Sequence, residues 1–512
     1  MKPIGFVLIV LALAASATPA RGQCQNPEPN DDPLVAGQLT VRVADYSDVE
    51  SALALLHTRW PTLALLDAIE SRQTYLLSAP DGQECDAEHD ILQHFVNPDP
   101  SIPDVDRPLI WVEGNYEAQP GEGKTGSIYI GTGGGSQAHA AFVAQYAADM
   151  LGITEAQLHA TGAGVAVAVL DTGIDPTHPA LAGRVQSGIR FVGWSAGSTV
   201  DSGNGQDDDG DGLIDEMVGH GTFVSGLISL VAPDAQLIPV VVLNSDGVGN
   251  AWTIANGMYY AIDRSADVIN MSLGSTYNAR VIEDAAEEAA ARGIIVVAAG
   301  GNLNQDIEEY PAARDTIGVA AVDAEDRKAT FSNYNDRLFI CAPGVSAPGE
   351  SGGADPALSI LGPVPGDEYA AWEGTSFSTA FVSGAVALIR SQNPHWHVSP
   401  PGQQCPGEGV PDDIVEAYEQ VLACSSVNID DQNPQYSGML GVGRLDIAAA
   451  VAESGPAPIL GDLDGVPGVG LGDLTILLQA YGLRDSPADL DADGHVGLSD
   501  LSILLTNFGQ GG

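Results

Sequence analysis

The sequence predicts a three-layer α/β domain across about residues 140–452, in which helices cover both faces of a parallel sheet. Short apolar segments alternate with amphipathic or small-residue helical stretches, and each apolar segment is followed by Gly, Asn or Asp. Strands that are buried on both faces have near-continuous apolar sequences of this kind. The expected strands are 165–170, 237–242, 268–271, 294–298 and 316–322.

A small α+β domain is expected over residues 38–118, ahead of a Gly-rich connector at 119–136. Alternating apolar residues predict its strands, and apolar residues at helical spacing predict its helices. The strands are expected at 38–43, 74–78 and 109–113, and the helices at 48–57 and 63–69.

A duplicated segment follows a Gly-Pro-Ala-Pro linker at 455–458. The motif Gly-Asp-Leu-Asp-Gly at 461–465 recurs as Ala-Asp-Leu-Asp-Ala at 488–492, and the apolar stretch at 473–478 recurs at 500–505. Such internal repeats predict equivalent structural units. We therefore expect a small all-α module of two loop–helix units over residues 459–512.

Composition and charge narrow the classes of protein. The chain has 512 residues, which is too many for one ordinary core, and its mean hydropathy of +0.06 is compatible with buried cores. Its formal net charge is -49, and Lys2, Lys124 and Lys328 are the only lysines. This balance disfavours nucleic acid and anionic membranes as partners and suits divalent cations. General solubility is the alternative explanation.

The first residues, 1–22, resemble a signal peptide that is removed on export. Lys2 precedes an apolar run at 4–17 that is too short to span a bilayer, and small residues follow it. Cys24 invites a lipoprotein interpretation, but Arg-Gly-Gln before it is a poor context for lipidation. We expect a secreted protein without a membrane span, and the C-terminal module could attach it to the cell surface.

Five cysteines are compatible with disulfides in an oxidising exterior. Cys405 and Cys424 bracket a loop and a helix and form the best candidate pair. Cys24 with Cys85 is a weaker pairing. Cys341 follows an apolar stretch and is expected to be a buried free thiol.

Three short motifs carry the residue types of nucleophilic catalysis. Asp171 ends an apolar strand in Leu-Asp-Thr-Gly, His220 lies in Gly-His-Gly-Thr, and Ser376 lies in Gly-Thr-Ser-Phe-Ser. A serine hydroxyl needs a base to take its proton, and a carboxylate can orient that base. Taken singly, Asp171 and Ser376 could be helix caps, and His220 could be a buried hydrogen-bonded residue.

Together and in this order, the three motifs resemble the subtilase family of serine peptidases, over about residues 140–452. The resemblance implies a subtilisin-like fold, Ser376 as nucleophile, His220 as base and acid, and Asp171 as the residue that orients His220. It also assigns Asn302, at the end of Ala-Ala-Gly-Gly-Asn, the role of second oxyanion donor. A turn asparagine is the alternative.

The resemblance further implies a substrate groove lined by backbone, between two segments of the chain. An extended polypeptide substrate would add between these segments as a strand. The segments are 247–249, with Gly247 and Gly249, and 272–274, with Ser272, Leu273 and Gly274.

Some positions depart from the family pattern. Ala380 stands where a proline is usual, and Phe223 stands where histidine is frequent. An acidic insertion between Asp171 and His220 resembles the opening of a calcium loop, with aspartates at positions 1, 3 and 5 and glycine at position 6. The expected ligands are Asp207, Asp209, Asp211 and Asp215. The alternative is a solvated acidic loop.

Both ends resemble modules that accompany enzymes. The domain at 38–118 resembles a subtilase propeptide, which would be removed by self-cleavage around 118–140, or it is a permanent N-terminal domain. The segment 459–512 resembles a dockerin, an EF-hand pair that binds cohesin domains. Its expected calcium ligands are Asp462, Asp464 and Asp473 in a degraded first loop, and Asp489, Asp491, Asp493 and Asp500 in the second.

The sequence therefore predicts a secreted serine endopeptidase that hydrolyses polypeptides through an acyl-enzyme, with structural Ca²⁺ and no catalytic metal. The alternative is a catalytically silent subtilase fold that acts as a calcium-dependent extracellular binding or assembly module. A cohesin-like protein is the partner that the C-terminal module suggests.

Overall fold

The computed structural model describes residues 33–45, 47–80, 82–96, 107–127, 129–192, 197–313, 316–346, 358–394, 411, 413–454, 463, 469–483, 486, 488, 490 and 495–508. These residues form two compact units, which meet in sequence between Asn115 and Tyr116. In the described part of the chain, no helix is both long and apolar enough to cross a membrane.

The first unit is a small α+β domain. Its strands form a sheet in the order β2-β3-β1-β4, and its core includes Leu39, Leu77 and Ile91. The elements are β1 (Leu34–Val43), α1 (Val49–Leu56), β2 (Ala64–Ile69), β3 (Thr74–Ser78), α2 (Glu84–Phe95) and β4 (Leu109–Ala118), the last of which continues into the second unit.

The prediction of a helix at 63–69 is wrong. This segment is strand β2, which pairs antiparallel with β3, with Ile69 opposite Thr74. Its run of Leu and Ala matches helical spacing, but a short apolar run is ambiguous by periodicity alone. The partner strand decides the conformation, because the hydrogen bonds of a strand are made outside the segment.

The second unit is built on a seven-stranded sheet whose pairings are all parallel. The order is β13-β12-β11-β10-β6-β8-β7. The sheet strands are β6 (Ala166–Asp171), β7 (Ile189–Arg190), β8 (Gln236–Val241), β10 (Val268–Met271), β11 (Ile295–Ala299), β12 (Ile317–Val322) and β13 (Ile340–Pro343). The five predicted strands correspond to β6, β8, β10, β11 and β12 within one residue at each end.

Helices and two small strand groups complete the second unit. A separate three-stranded sheet has the order β14-β15-β5, and β9 pairs with the end of β4. The elements are α3 (Gly121–Thr125), β5 (Ile130–Gly134), α4 (Gly135–Val143), α5 (Tyr146–Met150), α6 (Ile153–Ala156), α7 (His220–Val231), β9 (Gly249–Asn250), α8 (Ala251–Asp263), α9 (Arg280–Ala291), β14 (Leu361–Val364), β15 (Glu368–Ala371), α10 (Thr375–Gln392), α11 (Ile414–Ser425), α12 (Ile447–Ser454), α13 (Leu471–Ala480) and α14 (Leu498–Asn507).

Two buried helices bring the motif residues to one edge of the sheet. Strand β6 ends at Asp171, α7 begins at His220, and Ser376 is the second residue of α10. Because α7 and α10 pack against each other and α10 crosses several sheet strands, their N-termini meet the carboxyl end of β6. Polar residues at the strand end and at the helix starts therefore face one another at this edge of the sheet. Open α/β sheets bind their ligands at the same edge.

The duplicated helices α13 and α14 have matching starts. Asp473 and Asp500 are buried, and their carboxylates accept hydrogen bonds from Gly470 N and Gly497 N at 2.7 and 2.6 Å. Each also accepts a second bond at 2.6 Å, from Leu463 N or Leu490 N. The expected ligands Asp462, Asp464, Asp489, Asp491 and Asp493 lie outside the described residues, as do segment 1–22, Cys24 and the linker 455–458.

Candidate active site

His220 and Asp171 form a buried pair. His220 Nδ1 lies 2.8 Å from Oδ1 and 3.0 Å from Oδ2 of Asp171, and both residues are 0% exposed. This contact directs the other ring nitrogen, Nε2, away from the carboxylate of Asp171 and toward Glu122 Oε2, 3.5 Å away. A histidine held in this way has a defined tautomer, which a general base requires.

Ser376 and His220 converge on the carboxylate of Glu122. Ser376 Oγ donates a 2.7 Å hydrogen bond to Oε2 of Glu122, and His220 Nε2 lies 3.5 Å from the same oxygen. Ser376 Oγ also lies 3.1 Å from the carbonyl oxygen of Ser272. A carboxylate of the chain itself thus stands between the candidate base and the candidate nucleophile.

The charges around His220 favour its protonated form. Burial alone would lower the pKa of His220, but the charge and hydrogen bond of Asp171, followed by the carboxylate of Glu122, raise that pKa to about 10. An imidazolium cannot accept the proton of a serine hydroxyl. In this arrangement His220 is therefore held in the form that cannot act as a base.

Asn302 lies beside the start of α10. Its Oδ1 accepts hydrogen bonds from Thr375 N at 3.0 Å and from Thr375 Oγ1 at 2.9 Å, which commits the oxygen and leaves the amide nitrogen as the donor. A Cβ at Gly121 would lie 2.7 Å from Asn302 Nδ2. The amide thus faces the backbone of the connector, close to the position at which Glu122 meets Ser376.

The two expected substrate segments hold a strand of the same chain. Glu117 and Ala118 pair antiparallel with Asn250 and Gly249 of β9, and Gln119 exchanges two backbone hydrogen bonds with Gly274, at 3.1 and 3.2 Å. Gly247 has a φ of +81°, which turns the chain into β9, and Leu273 is buried. Ser272 donates from Oγ to the carbonyl oxygen of Ser376 at 2.9 Å.

The Gly-rich connector 119–136 contains regular structure. Gln119 belongs to this backbone pairing, α3 follows it, and β5 pairs with β15. Glycine at 121 is required by close approach, because a Cβ there would lie 2.6 Å from Asn302 Cγ. Tertiary contacts, and not local propensity, give this segment its structure.

Asp201 organises the site and was missed from the sequence. Its buried carboxylate accepts hydrogen bonds from Gly219 N at 3.0 Å, from Thr222 N and Oγ1 at 3.1 and 2.7 Å, and from Thr172 Oγ1 at 3.2 Å. These bonds tie the start of α7 to the end of β6. Burial raises the pKa of Asp201 to about 6. No local motif marks this residue.

Glu122 was also missed. It lies between two glycines in the connector, where the sequence shows no catalytic pattern. A Cβ at Gly374 would lie 1.4 Å from Glu122 Oε1, so glycine at 374 leaves room for this carboxylate. The sequence could not identify Glu122, because only the fold brings residues 122 and 376 together.

The residues that depart from the family pattern are packed, and carry no polar role. Phe223 is fully buried, and its ring lies 4.5 Å from that of Phe377 and 6.0 Å from that of Trp372. Trp372 in turn meets the His220 ring edge-on at 5.4 Å. Ala380 is fully buried within α10. An apolar aromatic cluster thus supports the imidazole.

The acidic insertion brings carboxylates together. Ligand atoms of Asp207, Asp209 and Asp211 lie within 4.8 Å of one another, as do those of Asp209, Glu216 and Asp246. Gly212, at the sixth position of the loop, has a φ of +95°, which favours glycine. The loop geometry and the hard oxygen donors fit a calcium ion.

Asp215 does not join these groups. Its carboxylate accepts hydrogen bonds from Asn204 N at 2.8 Å and from Gly205 N at 2.9 Å. Asp246, which the sequence pattern did not indicate, is buried and accepts a 2.6 Å bond from Asp215 N. Asp246 follows the insertion by many residues, so spacing within the loop could not identify it.

The cysteine expectations are tested in part. Cys341 is a buried free thiol, as predicted, and burial raises its pKa. Cys85 and Cys424 are both disulfide-bonded. Cys405, the partner expected for Cys424, lies outside the described residues, so the pairing stays a prediction.

Comparison with known proteins defines the class to which this fold and site belong. A profile described as the Subtilase family matches residues 162–403. Subtilisin BL and Subtilisin Savinase, both from Lederbergia lenta, are 38% and 37% identical to the chain over 246 residues, covering 46% of this chain and 80% of each relative. An alkaline protease from Alkalihalobacillus alcalophilus is 37% identical and is covered over 56% of its length.

Fold similarity extends further than sequence similarity. Fervidolysin from Fervidobacterium pennivorans, a keratinolytic enzyme related to subtilisin, aligns with a TM-score of 0.60 and 21% identity over 85% of this chain and 63% of its own. The chain is thus covered well, whereas it spans less than two thirds of fervidolysin. The chain belongs to the subtilase family, and the expected enzyme class, a subtilisin-like serine endopeptidase, is confirmed.

Proposed function

We propose that the chain is a secreted endopeptidase, made as a latent precursor, whose catalytic triad is Asp171, His220 and Ser376. One observation carries the proposal. Asp171 holds His220 by Nδ1, while His220 Nε2 and Ser376 Oγ both face the same oxygen of Glu122. Withdrawal of that carboxylate would leave the base and the nucleophile facing each other.

Once the carboxylate of Glu122 has withdrawn, Ser376 Oγ attacks the carbonyl carbon of the scissile peptide and gives its proton to His220 Nε2. The tetrahedral oxyanion receives hydrogen bonds from Asn302 Nδ2 and from the N–H of Ser376, which is a free donor in the first turn of α10. Collapse transfers the proton from His220 to the leaving amine and forms the acyl-enzyme. Water, deprotonated by His220, then releases the acid and regenerates Ser376.

The connector strand supports latency. Residues 117–119 occupy the place between β9 and Gly274 into which an extended substrate would add. The carboxylate of Glu122 accepts the hydrogen bond of the proposed nucleophile, Ser376. The domain at 38–118 would then act as a propeptide, removed by self-cleavage at 118–140. Residues 1–22 would direct export, in keeping with a signal peptide.

Structural calcium forms part of the proposal. Asp207, Asp209 and Asp211 would hold one ion at the acidic insertion, with Glu216 and Asp246 as further oxygen donors, and the ion would stiffen the loop beside α7. The role expected for Asp215 is not supported by its contacts. The two C-terminal helices, α13 and α14, resemble a dockerin in having a buried aspartate, Asp473 or Asp500, in the first turn of each. A cohesin-like partner is not part of this proposal.

The catalytically silent alternative is disfavoured. It explains neither the Asp171–His220 pair nor the alignment of Asn302 with Thr375, which a binding module would not need. A tethered carboxylate on Ser376 is useful only where the hydroxyl has to be restrained.

Labelling with a fluorophosphonate tests the proposal. Wild-type protein collected from the medium is expected to label and to hydrolyse casein, whereas Ser376→Ala should do neither and should remain uncleaved. Asn302→Ala is expected to retain labelling and to lose about 10²–10³ in kcat. Full maturation of Ser376→Ala in a protease-free host would refute self-cleavage, and unlabelled, inactive wild type would refute the enzyme.

A further inference from the structure

A second carboxylate of the groove is not used by the triad. Glu309 lies next to both Gly274, which ends the substrate segment 272–274, and Gly301, which precedes Asn302. A Cβ at Gly274 would come within 2.6 Å of Glu309 Cγ, and a Cβ at Gly301 within 3.0 Å of Glu309 Oε2. Glycine at both positions leaves room for the carboxylate. The side chain of Glu309 is 2% exposed, so its charge is largely desolvated.

The backbone holds Glu309 at this position. The next residue, Tyr310, exchanges two hydrogen bonds with Ser275, at 2.8 and 3.0 Å, and Ser275 directly follows the substrate segment 272–274. On the other wall, Gly301 precedes the oxyanion residue Asn302. Glu309 is therefore fixed between the segment that binds substrate backbone and the residue that would stabilise the oxyanion.

The connector supplies a cation to this carboxylate. Lys124 Nζ lies 2.6 Å from Glu309 Oε1, and the two side chains are 9% and 2% exposed. Lys124 belongs to the same short helix, α3, as Gly121. Gly121 lies beside Asn302 and, as a glycine, places no side chain there. A buried carboxylate that loses its cation carries a large electrostatic penalty. Departure of the connector would remove the Lys124 cation from Glu309.

We propose that Glu309 makes the enzyme select Lys or Arg at the substrate residue immediately before the scissile bond. This rests on the proposed function, since it concerns the groove of that same site. A substrate residue that takes the place of Gly121 would lie further from Asn302 than Gly121 does, because a Cβ at the Gly121 backbone position would lie 2.6 Å from Asn302 Cγ. From there its cation would extend toward Glu309 and replace Lys124. A net charge of -49 would also draw cationic peptides toward the enzyme.

The experiment compares peptides that differ only at that residue. The full-length chain is expressed, active sites are counted with the fluorophosphonate, and kcat/KM is measured for Lys, Arg, Leu, Phe and Glu substrates. We expect Lys and Arg to exceed Leu and Phe by about tenfold or more, and Glu to be the poorest. Benzamidine, an aromatic cation, should inhibit competitively.

Two matched variants localise the effect. Glu309→Gln keeps the shape and removes the charge, so the ratio of kcat/KM for Lys to kcat/KM for Leu and the inhibition by benzamidine should both fall about tenfold or more. Glu308→Gln removes the same charge from the neighbouring residue, whose side chain is 40% exposed, and should keep both properties. If Glu309→Gln does not accumulate, the wild-type panel and benzamidine decide.

Failure of this inference differs from failure of the proposed function. Enzyme that labels fully but cleaves Leu or Phe substrates as fast as Lys and Arg overturns the basic preference alone, as does a preference that survives in Glu309→Gln. Protein that neither labels nor cleaves any peptide of the panel overturns the peptidase and, with it, this inference.

Discussion

At the scale of single residues, Glu122 is the residue that contacts both the proposed nucleophile and the proposed base. Its carboxylate accepts the hydrogen bond of Ser376 Oγ and faces His220 Nε2. A hydroxyl that is bound to a carboxylate and an imidazole that is protonated can carry out neither attack nor proton transfer. Under the proposed latency, this contact would keep the precursor inactive until Glu122 withdraws.

The pH dependence of latency follows from His220. Asp171 and, after it, Glu122 raise the pKa of His220 from 6.5 to about 10, so the imidazolium that faces Glu122 is fully present below about pH 6.5 and is lost as pH rises toward 10. We expect fluorophosphonate labelling of the full-length band on a gel to accelerate across that range. Glu122→Gln should label about tenfold faster near pH 7, with a flatter pH profile.

Glu117→Gln is the control for this prediction, because it removes the same charge from the same segment, and Glu117 pairs with Asn250 through its backbone. Its labelling should follow the wild-type profile. Equal labelling rates for wild type and Glu122→Gln at every pH would show that Glu122 does not restrain Ser376.

At the scale of elements, the start of α7 carries the base, and Asp201 holds it. The carboxylate of Asp201 accepts hydrogen bonds from the N–H of Gly219, directly before α7, from the N–H of Thr222 in its first turn, and from the hydroxyl of Thr172, directly after Asp171. Negative charge at a helix N-terminus is favourable, and here it also couples the helix to strand β6. The distance between Asp171 and His220 thus depends on a residue outside all three motifs.

Asp201→Asn is expected to lower the free energy of unfolding by about 1–3 kcal/mol, because an amide cannot satisfy the same buried donors. We also expect kcat to fall more than KM changes, since His220 would lose its alignment and the groove would be kept. Urea unfolding and steady-state kinetics measure both. The control Ser202→Ala alters an exposed neighbour; if Asp201→Asn matched it in stability and kcat, the coupling would be refuted.

Element prediction succeeded where apolar runs are long and buried. The strands β6, β8, β10, β11 and β12 were located from their apolar sequences alone, because burial on both faces leaves a continuous signal. Segment 63–69 was assigned the wrong structure, since a short run of Leu and Ala satisfies either period. Strand β5 and helix α3 were not seen in a Gly-rich connector whose order comes from contacts with distant residues.

At the scale of the whole molecule, the proposed calcium site in the acidic insertion would link stability to metal. Asp207, Asp209 and Asp211 bring like charges together on an exposed loop, which costs free energy unless a cation is shared among them. The high net negative charge adds to that repulsion. Calcium bound by the folded state alone would therefore stabilise it by mass action.

Excess chelator is expected to lower the Tm by several degrees, because an ion present at about 100 times its Kd contributes about 2.7 kcal/mol. Calorimetry with and without chelator measures the shift. The double variant Asp209→Asn with Asp211→Asn should reduce the shift, and Asp208→Asn, which removes a neighbouring charge, should keep it. A Tm unchanged by chelator would contradict the calcium site.

The sequence by itself determined the fold class and the three residues that we propose as the catalytic triad. Asp171, His220 and Ser376 sit in motifs whose neighbours, a strand end and two helix starts, are encoded locally. Tertiary structure alone decided which side chains meet them. Asp201, Glu122 and Glu309 act through contacts between segments far apart in the chain, and no local pattern records such contacts because the free energy of a buried carboxylate depends on what surrounds it.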